Sequence, residues 1–375
     1  MTGRQRSAIA VVTLVLTLVG CVTLGSVVGR QVAAAAAPAA VTCQVDGQTL
    51  SCTLPAAPTV TQTVTATVTA ASSSAPSSSS PPASSTPPAG GGGWLSGAAG
   101  AGVPNGDFGR WRGTPVPLCA TWSDADAANQ LNSWQFNAGG EYGTWAGSCD
   151  WAPGAIFAGE TWAKAAAGAY DTRWRDSIRD VKADWQRISR GTLYVRPAHE
   201  MNGTWMPWSV KPADVASFKA AWVRYHDILA AEFPAAKLVF STNGNTVGQA
   251  YDWRTLWPGD AYVDVYSTDW YSLHFQFGAD GVDSYGGPTG LDGHRKFAEA
   301  HGVPFAVSEW GNNTDAGDRP DYIAWMHQFF TAHAGTGPGQ VLYEAYFNVI
   351  WSPNKFGLYP TTNAPKSRDQ YVNLF

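Results

Sequence analysis

Aromatic residues are missing from the first 93 positions, and charge is nearly missing as well. All 18 Trp, 14 Tyr and 15 Phe follow Gly93, and the charged residues before it are Arg4, Arg6, Arg30 and Asp46. Such a segment has neither the apolar mass for a core nor the charge of a solvated globule. Cysteine is scarce too. The five are Cys21, Cys43, Cys52, Cys119 and Cys149, with no CxxC pair and no HExxH, so the common zinc signatures are excluded. No GxGxxG or GxxxxGK[ST] follows a candidate strand, so nucleotide binding has no support. Neither a cofactor nor a metal is expected.

What the first 93 residues do contain is a targeting pattern. Arg4 and Arg6 precede an apolar run, Ala8 to Val28, and about 20 apolar residues can span a bilayer. The positive flank predicts a cytoplasmic N-terminus and an exported remainder. Two fates are open: a retained signal-anchor, or cleavage before Cys21, because Leu18-Val19-Gly20-Cys21 resembles a lipoprotein processing box. Four cysteines outside that run fit disulfides in an oxidising compartment, with local pairing, Cys43–Cys52 and Cys119–Cys149, the cheapest connectivity. Residues 55–93 are rich in Pro, Ser, Thr, Ala and Gly and read as a flexible spacer. The expected organisation is a signal or anchor over 1–30, a linker with a small cysteine loop over 31–93, and one catalytic domain over 94–375.

That last stretch keeps 21 of 24 basic and 28 of 29 acidic residues, a net charge of −7. An acidic domain argues against nucleic acid and anionic membrane surfaces as partners. Membrane contact is expected through the N-terminal segment only, the domain as a monomer outside the cytoplasm, and its abundant aromatics suit the faces of a neutral sugar.

From Val116 on, short apolar runs alternate with helical patterns. Strand candidates are Val116–Trp122, Ala155–Ala158, Leu193–Ala198, Lys237–Thr242, Val263–Thr268, Pro304–Ser308 and Tyr343–Val349, and Gln135–Trp145 could hold an eighth. Between Pro212 and Phe233, Phe218, Trp222, Tyr225 and Leu229 recur at i, i+4, i+7 and i+11, one stripe of a helix. Apolar strands separated by helices predict a parallel α/β sheet, and eight strands would close a (β/α)8 TIM barrel; an open doubly wound sheet is the alternative.

Two carboxylates stand at predicted strand ends: Glu200, after Leu193–Ala198, and Glu309, after Pro304–Ser308. Alternation along a strand groups Arg196, Ala198 and Glu200 on one side, and Phe305, Val307 and Glu309 on one side. A charge directly after an apolar strand is costly unless paired or used. Glycoside hydrolysis needs such a pair, roughly 5 Å apart when configuration is retained.

The motifs around them carry a resemblance. His199-Glu200-Met201-Asn202-Gly203-Thr204-Trp205, Trp257-Pro258-Gly259-Asp260-Ala261-Tyr262-Val263-Asp264, Asp269-Trp270-Tyr271 and Ser308-Glu309-Trp310-Gly311 together resemble glycoside hydrolase family 26 over roughly residues 150–355. The resemblance implies a (β/α)8 barrel and a retaining double displacement on a β-linked polysaccharide of mannan or β-1,3/1,4-glucan type. Glu200 then looks like the general acid/base and Glu309 like the nucleophile. His199 resembles the histidine beside the acid/base, Tyr271 the tyrosine bonded to the nucleophile, and Trp205 and Trp351 sugar platforms. Arg196, on the Glu200 strand face, reads as either a buried charge partner or a binding residue, and Asn202 joins the binding set. The sequence departs from the mannanase pattern in having no histidine before His199, where such enzymes commonly place one on an earlier barrel loop. Asp107, Trp111, Glu160 and Trp162 are further candidates for sugar recognition. The rival class is a surface-anchored barrel that binds glycan without cleaving it.

Overall fold

The computed structural model describes residues 42–46, 49–53, 93–123, 134–189, 191–274 and 281–375. The expected signal or anchor, most of the linker and the side chains of the small cysteine loop lie outside the described residues. The backbone of that loop is a hairpin of β1 (Thr42–Asp46) and β2 (Thr49–Thr53), whose register sets Cys43 opposite Cys52. Among the described residues no helix is long and apolar enough to cross a membrane.

The rest is a closed eight-stranded barrel. Its strands are β3 (Leu95–Gly100), β4 (Leu118–Ser123), β5 (Ser148–Pro153), β6 (Leu193–Val195), β7 (Lys237–Asn243), β8 (Val265–Tyr271), β9 (Phe305–Gly311) and β10 (Val341–Asn348). Each pairs in parallel with its sequence neighbour, and β10 closes on β3. The intervening helices are α1 (Asp107–Arg112), α2 (Trp162–Ala166), α3 (Asp171–Ile188), α4 (Val215–Glu232), α5 (Leu291–Ala300) and α6 (Pro320–His333); α7 (Pro365–Leu374) ends the chain. The expected TIM barrel is therefore present.

The amphipathic stripe read from the sequence builds the outer layer. Phe218, Trp222, Tyr225 and Leu229 of α4 are all buried, and each large apolar side chain so buried contributes about 1.5–3 kcal/mol. In α3 the same role falls to Trp174, Ile178, Val181 and Trp185. Inside the barrel, Leu95, Leu118, Tyr194, Val239, Val265, Ala306 and Tyr343 form a separate small cluster. Above it, toward the C-terminal strand ends, the interior turns polar, with Asp150, Arg196, Asp269 and Glu309.

Two strand assignments need correction. Ala155–Ala158 is a loop, and the third barrel strand lies just before it at Ser148–Pro153. The eighth strand is Leu95–Gly100, whereas Gln135–Trp145 forms turns. The sequence Leu-Ser-Gly-Ala-Ala-Gly carries almost no hydrophobic signal, because here strands approach closely. A Cβ on Gly97 would sit 2.6 Å from the Leu118 side chain and 2.7 Å from the Glu344 carbonyl.

Both alternation arguments also fail in detail. The β6 ladder stops at Val195, and Ala198 (φ 54°) and Glu200 (φ 52°) lie in the left-handed region that L-residues rarely adopt. Glu200 reaches the barrel mouth by this turn, not by strand alternation. On β9, Phe305 and Val307 pack outward with the helices while Ala306 faces the interior. A register shift between Thr268 and Asp269 pairs Asp269 with Glu309, and this irregularity lets both Ser308 and Glu309 reach interior partners.

Candidate active site

Strands four and seven of the barrel deliver the two glutamates to one cavity of about 330 Å³, lined by Trp122, His199, Glu200, Trp205, Met206, Tyr271, Glu309, Phe347, Trp351 and Phe356. The wall is mostly aromatic, and the floor is charged.

Glu309 is buried and receives three donors. Trp122 Nε1 (2.6 Å) and Arg196 Nη2 (2.9 Å) donate to Oε1, and Tyr271 Oη donates to Oε2 (2.9 Å). Charge-assisted bonds of this kind stabilise the carboxylate and fix its plane. Arg196 is fully buried and is the hub below. Its Nε donates to Asp150 Oδ1 (2.9 Å), and Nη1 donates to Asp269 Oδ2 (3.0 Å). Asp150 also accepts from Ser308 Oγ (2.6 Å) and Tyr343 Oη (2.8 Å). One guanidinium thus serves three carboxylates from three strands. Burial, then the charge of Glu309, holds Asp269 well above the usual carboxylate range against the pull of Arg196.

Glu200 has a different environment. Asn243 Nδ2 donates to Oε1 (2.7 Å) and Trp205 Nε1 to Oε2 (2.8 Å). Burial and then the negative charge of Glu309 push its carboxyl up to about 7, opposed by the two hydrogen bonds and by Arg196. The two carboxyls therefore occupy one cavity with contrasting surroundings. One is proton-retaining, and the other is clamped by an arginine, an indole and a phenol.

The remaining predicted residues divide. His199 lines the cavity, packs on Trp208 with ring centroids 5.3 Å apart, and is held well below its ordinary value by burial and by Arg196. Trp205 and Trp351 line it with large exposed faces, 46% and 61%. Asn202 stands apart: it is fully buried and its Nδ2 donates to the Asn243 and Asn245 carbonyls, tying the Glu200 turn to the end of β7. Asp107, Trp111, Glu160 and Trp162 do not line the cavity. Glu160 pairs with Arg173 (2.6 Å), Asp107 pairs with Arg110, and Trp162 is core. Trp122, Asn243 and Asp150 were not singled out from the sequence, and Asp269 entered only as part of a motif. Three of them stand where an apolar run ends in a polar or aromatic residue, the same signal that marked the glutamates.

The model of glycosyl hydrolase family 26 matches residues 167–299, a span that holds Glu200 and ends before Glu309. Over that span the chain is similar to glycosyl hydrolase family 26. It is 34% identical over 194 residues to Endoglucanase H of Acetivibrio thermocellus, covering 50% of this chain and 18% of that protein. It is 31% identical over 111 residues to a mannan endo-1,4-β-mannosidase of Bifidobacterium adolescentis, covering 28% of this chain and 11% of that protein. The chain spans under a fifth of the length of these relatives. Among solved structures, an engineered protein superposes with a TM-score of 0.50 at 15% identity over 75% of this chain and 68% of its own, a likeness of fold.

Proposed function

We propose that this chain is a family 26 retaining glycoside hydrolase of β-linked polysaccharide, of mannan or β-1,3/1,4-glucan type, exported and tethered by its N-terminal segment. The observation that carries the reading is the contrast between the two carboxyls in one aromatic cavity. Glu309 attacks the anomeric carbon while the Glu200 proton passes to the leaving glycosidic oxygen, which breaks the C–O bond and leaves a glycosyl ester on Glu309. Glu200, now ionised, takes a proton from water, and that water opens the ester with net retention. Arg196, Trp122 and Tyr271 orient the nucleophile and stabilise its charge. His199, kept neutral, adds no competing positive charge beside the acid. The exposed faces of Trp205 and Trp351 suit sugar rings. The two curated relatives, an endoglucanase and a mannosidase, support the linkage class without choosing between sugars.

The test is hydrolysis of β-1,4-mannan, β-1,4-glucomannan and mixed-linkage β-glucan with the product anomer read by proton NMR. The β-anomer should form first. Glu309→Ala should abolish turnover on every substrate. Glu200→Ala should keep much of its kcat/KM on aryl glycosides with good leaving groups, while its turnover falls at ester hydrolysis and is partly rescued by azide as a β-glycosyl azide. An initial α-anomer would overturn the retaining assignment, and no hydrolysis of any β-glycan would overturn the function.

A further inference from the structure

The indole of Trp205 is more than an exposed platform, because its edge is folded back onto the chain. A Cβ on Gly203 would lie 2.4–2.6 Å from three atoms of the indole six-membered ring, a distance that real carbons do not tolerate. The ring therefore rests directly over a bare α-carbon. In that seat its N–H, two bonds from Cζ2, reaches Glu200 Oε2 at 2.8 Å. The other carboxyl oxygen is taken by Asn243, which is buried and accepts from the Asn245 backbone N–H. Asn243 is thus the buried partner and Trp205 the solvent-facing one, which puts Oε2 on the exposed side of the carboxyl.

We propose that Gly203 and Trp205 form one positioning device for the acid/base, in which the missing Cβ seats the indole and the indole N–H holds the reactive oxygen of Glu200. This rests on the assignment of Glu200 as acid/base. The device works on a carboxyl that has no slack elsewhere. Glu200 itself follows a left-handed turn. The charged and titratable groups around it are Glu309 from β9, Arg196 beyond β6, Asp269 and Tyr271 from β8, and His199 beside it in the cavity wall. Burial and Glu309 favour its proton, while Asn243, Trp205 and Arg196 favour its anion. Of the three groups that favour its anion, Trp205 is the one with a face in the cavity. Its bond both aims Oε2 and keeps the carboxyl able to release its proton at neutral pH, as a group that serves as acid and then as base requires.

Two variants of the full chain separate this role from sugar stacking. Trp205→Phe keeps an aromatic face but removes the donor. Gly203→Ala keeps the indole but unseats it. No left-handed backbone is needed at position 203, and the atoms in the way belong to a side chain, so the ring moves and the fold remains. The Glu200 carboxyl is followed by carbon-13 NMR in glutamate-labelled protein and identified by its loss in Glu200→Gln. In both variants its titration midpoint should rise by about one pH unit, as expected for loss of one hydrogen bond to a charged group. The basic limb of kcat/KM on soluble β-1,4-glucomannan should move upward with it. A midpoint that stays at the wild-type position, with a raised KM alone, would overturn the device and leave Trp205 a sugar platform. Failure of the underlying assignment looks different: Glu200→Gln would then hydrolyse glucomannan as wild type does.

Discussion

Replacing Glu200 by glutamine should change how stability depends on pH, and the sign can be worked out. In the folded chain the Glu200 carboxyl sits at about 7, against an ordinary value of 4.5. A carboxyl raised on folding contributes stability that is fully present below the unfolded value and is lost as pH rises through the folded one. At 1.36 kcal/mol per unit the full shift corresponds to about 3.4 kcal/mol lost between pH ~4.5 and ~7. Glu200 opens onto the cavity and shares its field with Glu309, so about 2 kcal/mol is the more reasonable figure. Glutamine has the same shape and never ionises. Its amide, however, must point an NH2 at either Asn243 Nδ2 or Trp205 Nε1, both of which donate to the glutamate. One hydrogen bond, about 1 kcal/mol, is therefore lost at every pH. Urea unfolding should find Glu200→Gln less stable than wild type by about 1 kcal/mol at pH ~4.5, and more stable by about 1 kcal/mol above pH ~8. Two stability curves that run parallel from acid to alkaline pH would refute the reasoning, because the wild-type carboxyl would then be paying nothing for its charge.

Other perturbations probe the layer beneath. Arg196→Met leaves Asp150, Asp269 and Glu309 without their shared cation in the barrel interior and should cost about 3–5 kcal/mol in denaturant unfolding. Tyr271→Phe removes one donor from Glu309 Oε2; kcat should fall roughly 10–100-fold, the worth of one hydrogen bond to a charged group, while the thermal midpoint holds. Cys119 and Cys149 face each other on adjacent strands with Cα atoms 4.4 Å apart and are bridged, a link across 30 residues. Their double serine variant should lose about 3–4 kcal/mol on the chain-entropy account, read as a lower unfolding midpoint under non-reducing conditions.

The parts of the fold that were legible in the sequence are those written in periodicity. The α4 stripe and six of the eight strands announce themselves by apolar runs whose burial is local and repetitive. What was illegible depends on close approach. Leu95–Gly100 is a strand of small residues because Gly97 lies against Leu118 and the Glu344 backbone, and no hydrophobicity window registers a side chain that must be absent. The same blindness hid Gly203, whose importance comes from what rests on it. Strand faces near the two cavity glutamates were misread for a related reason. Alternation assumes a regular ladder, but the ladder ends at Val195 before Glu200 and shifts register beside Glu309. The irregularities fall at the site itself, where the backbone departs from its preferred geometry to aim a carboxyl.

The floor of the site shows why identifying two glutamates does not amount to reading a site. Arg196 was visible as a lone charge in an apolar strand, but its partners, Asp150, Asp269 and Glu309, lie 46, 73 and 113 residues away. No spacing rule links them; barrel closure brings the strands together. Once closed, the arrangement is severely constrained. A single buried cation cannot hold three full negative charges nearby at no cost, so protons must be retained somewhere in the cluster. Asp269 and Glu200 are the carboxyls pushed upward, and both feel Glu309. Glu309 is the carboxyl that receives three donors, and the side chain best placed to hold a transferable proton is Glu200, which opens onto the cavity. On the proposed mechanism, the division of labour between two chemically identical residues thus follows from where eight strand ends put one arginine.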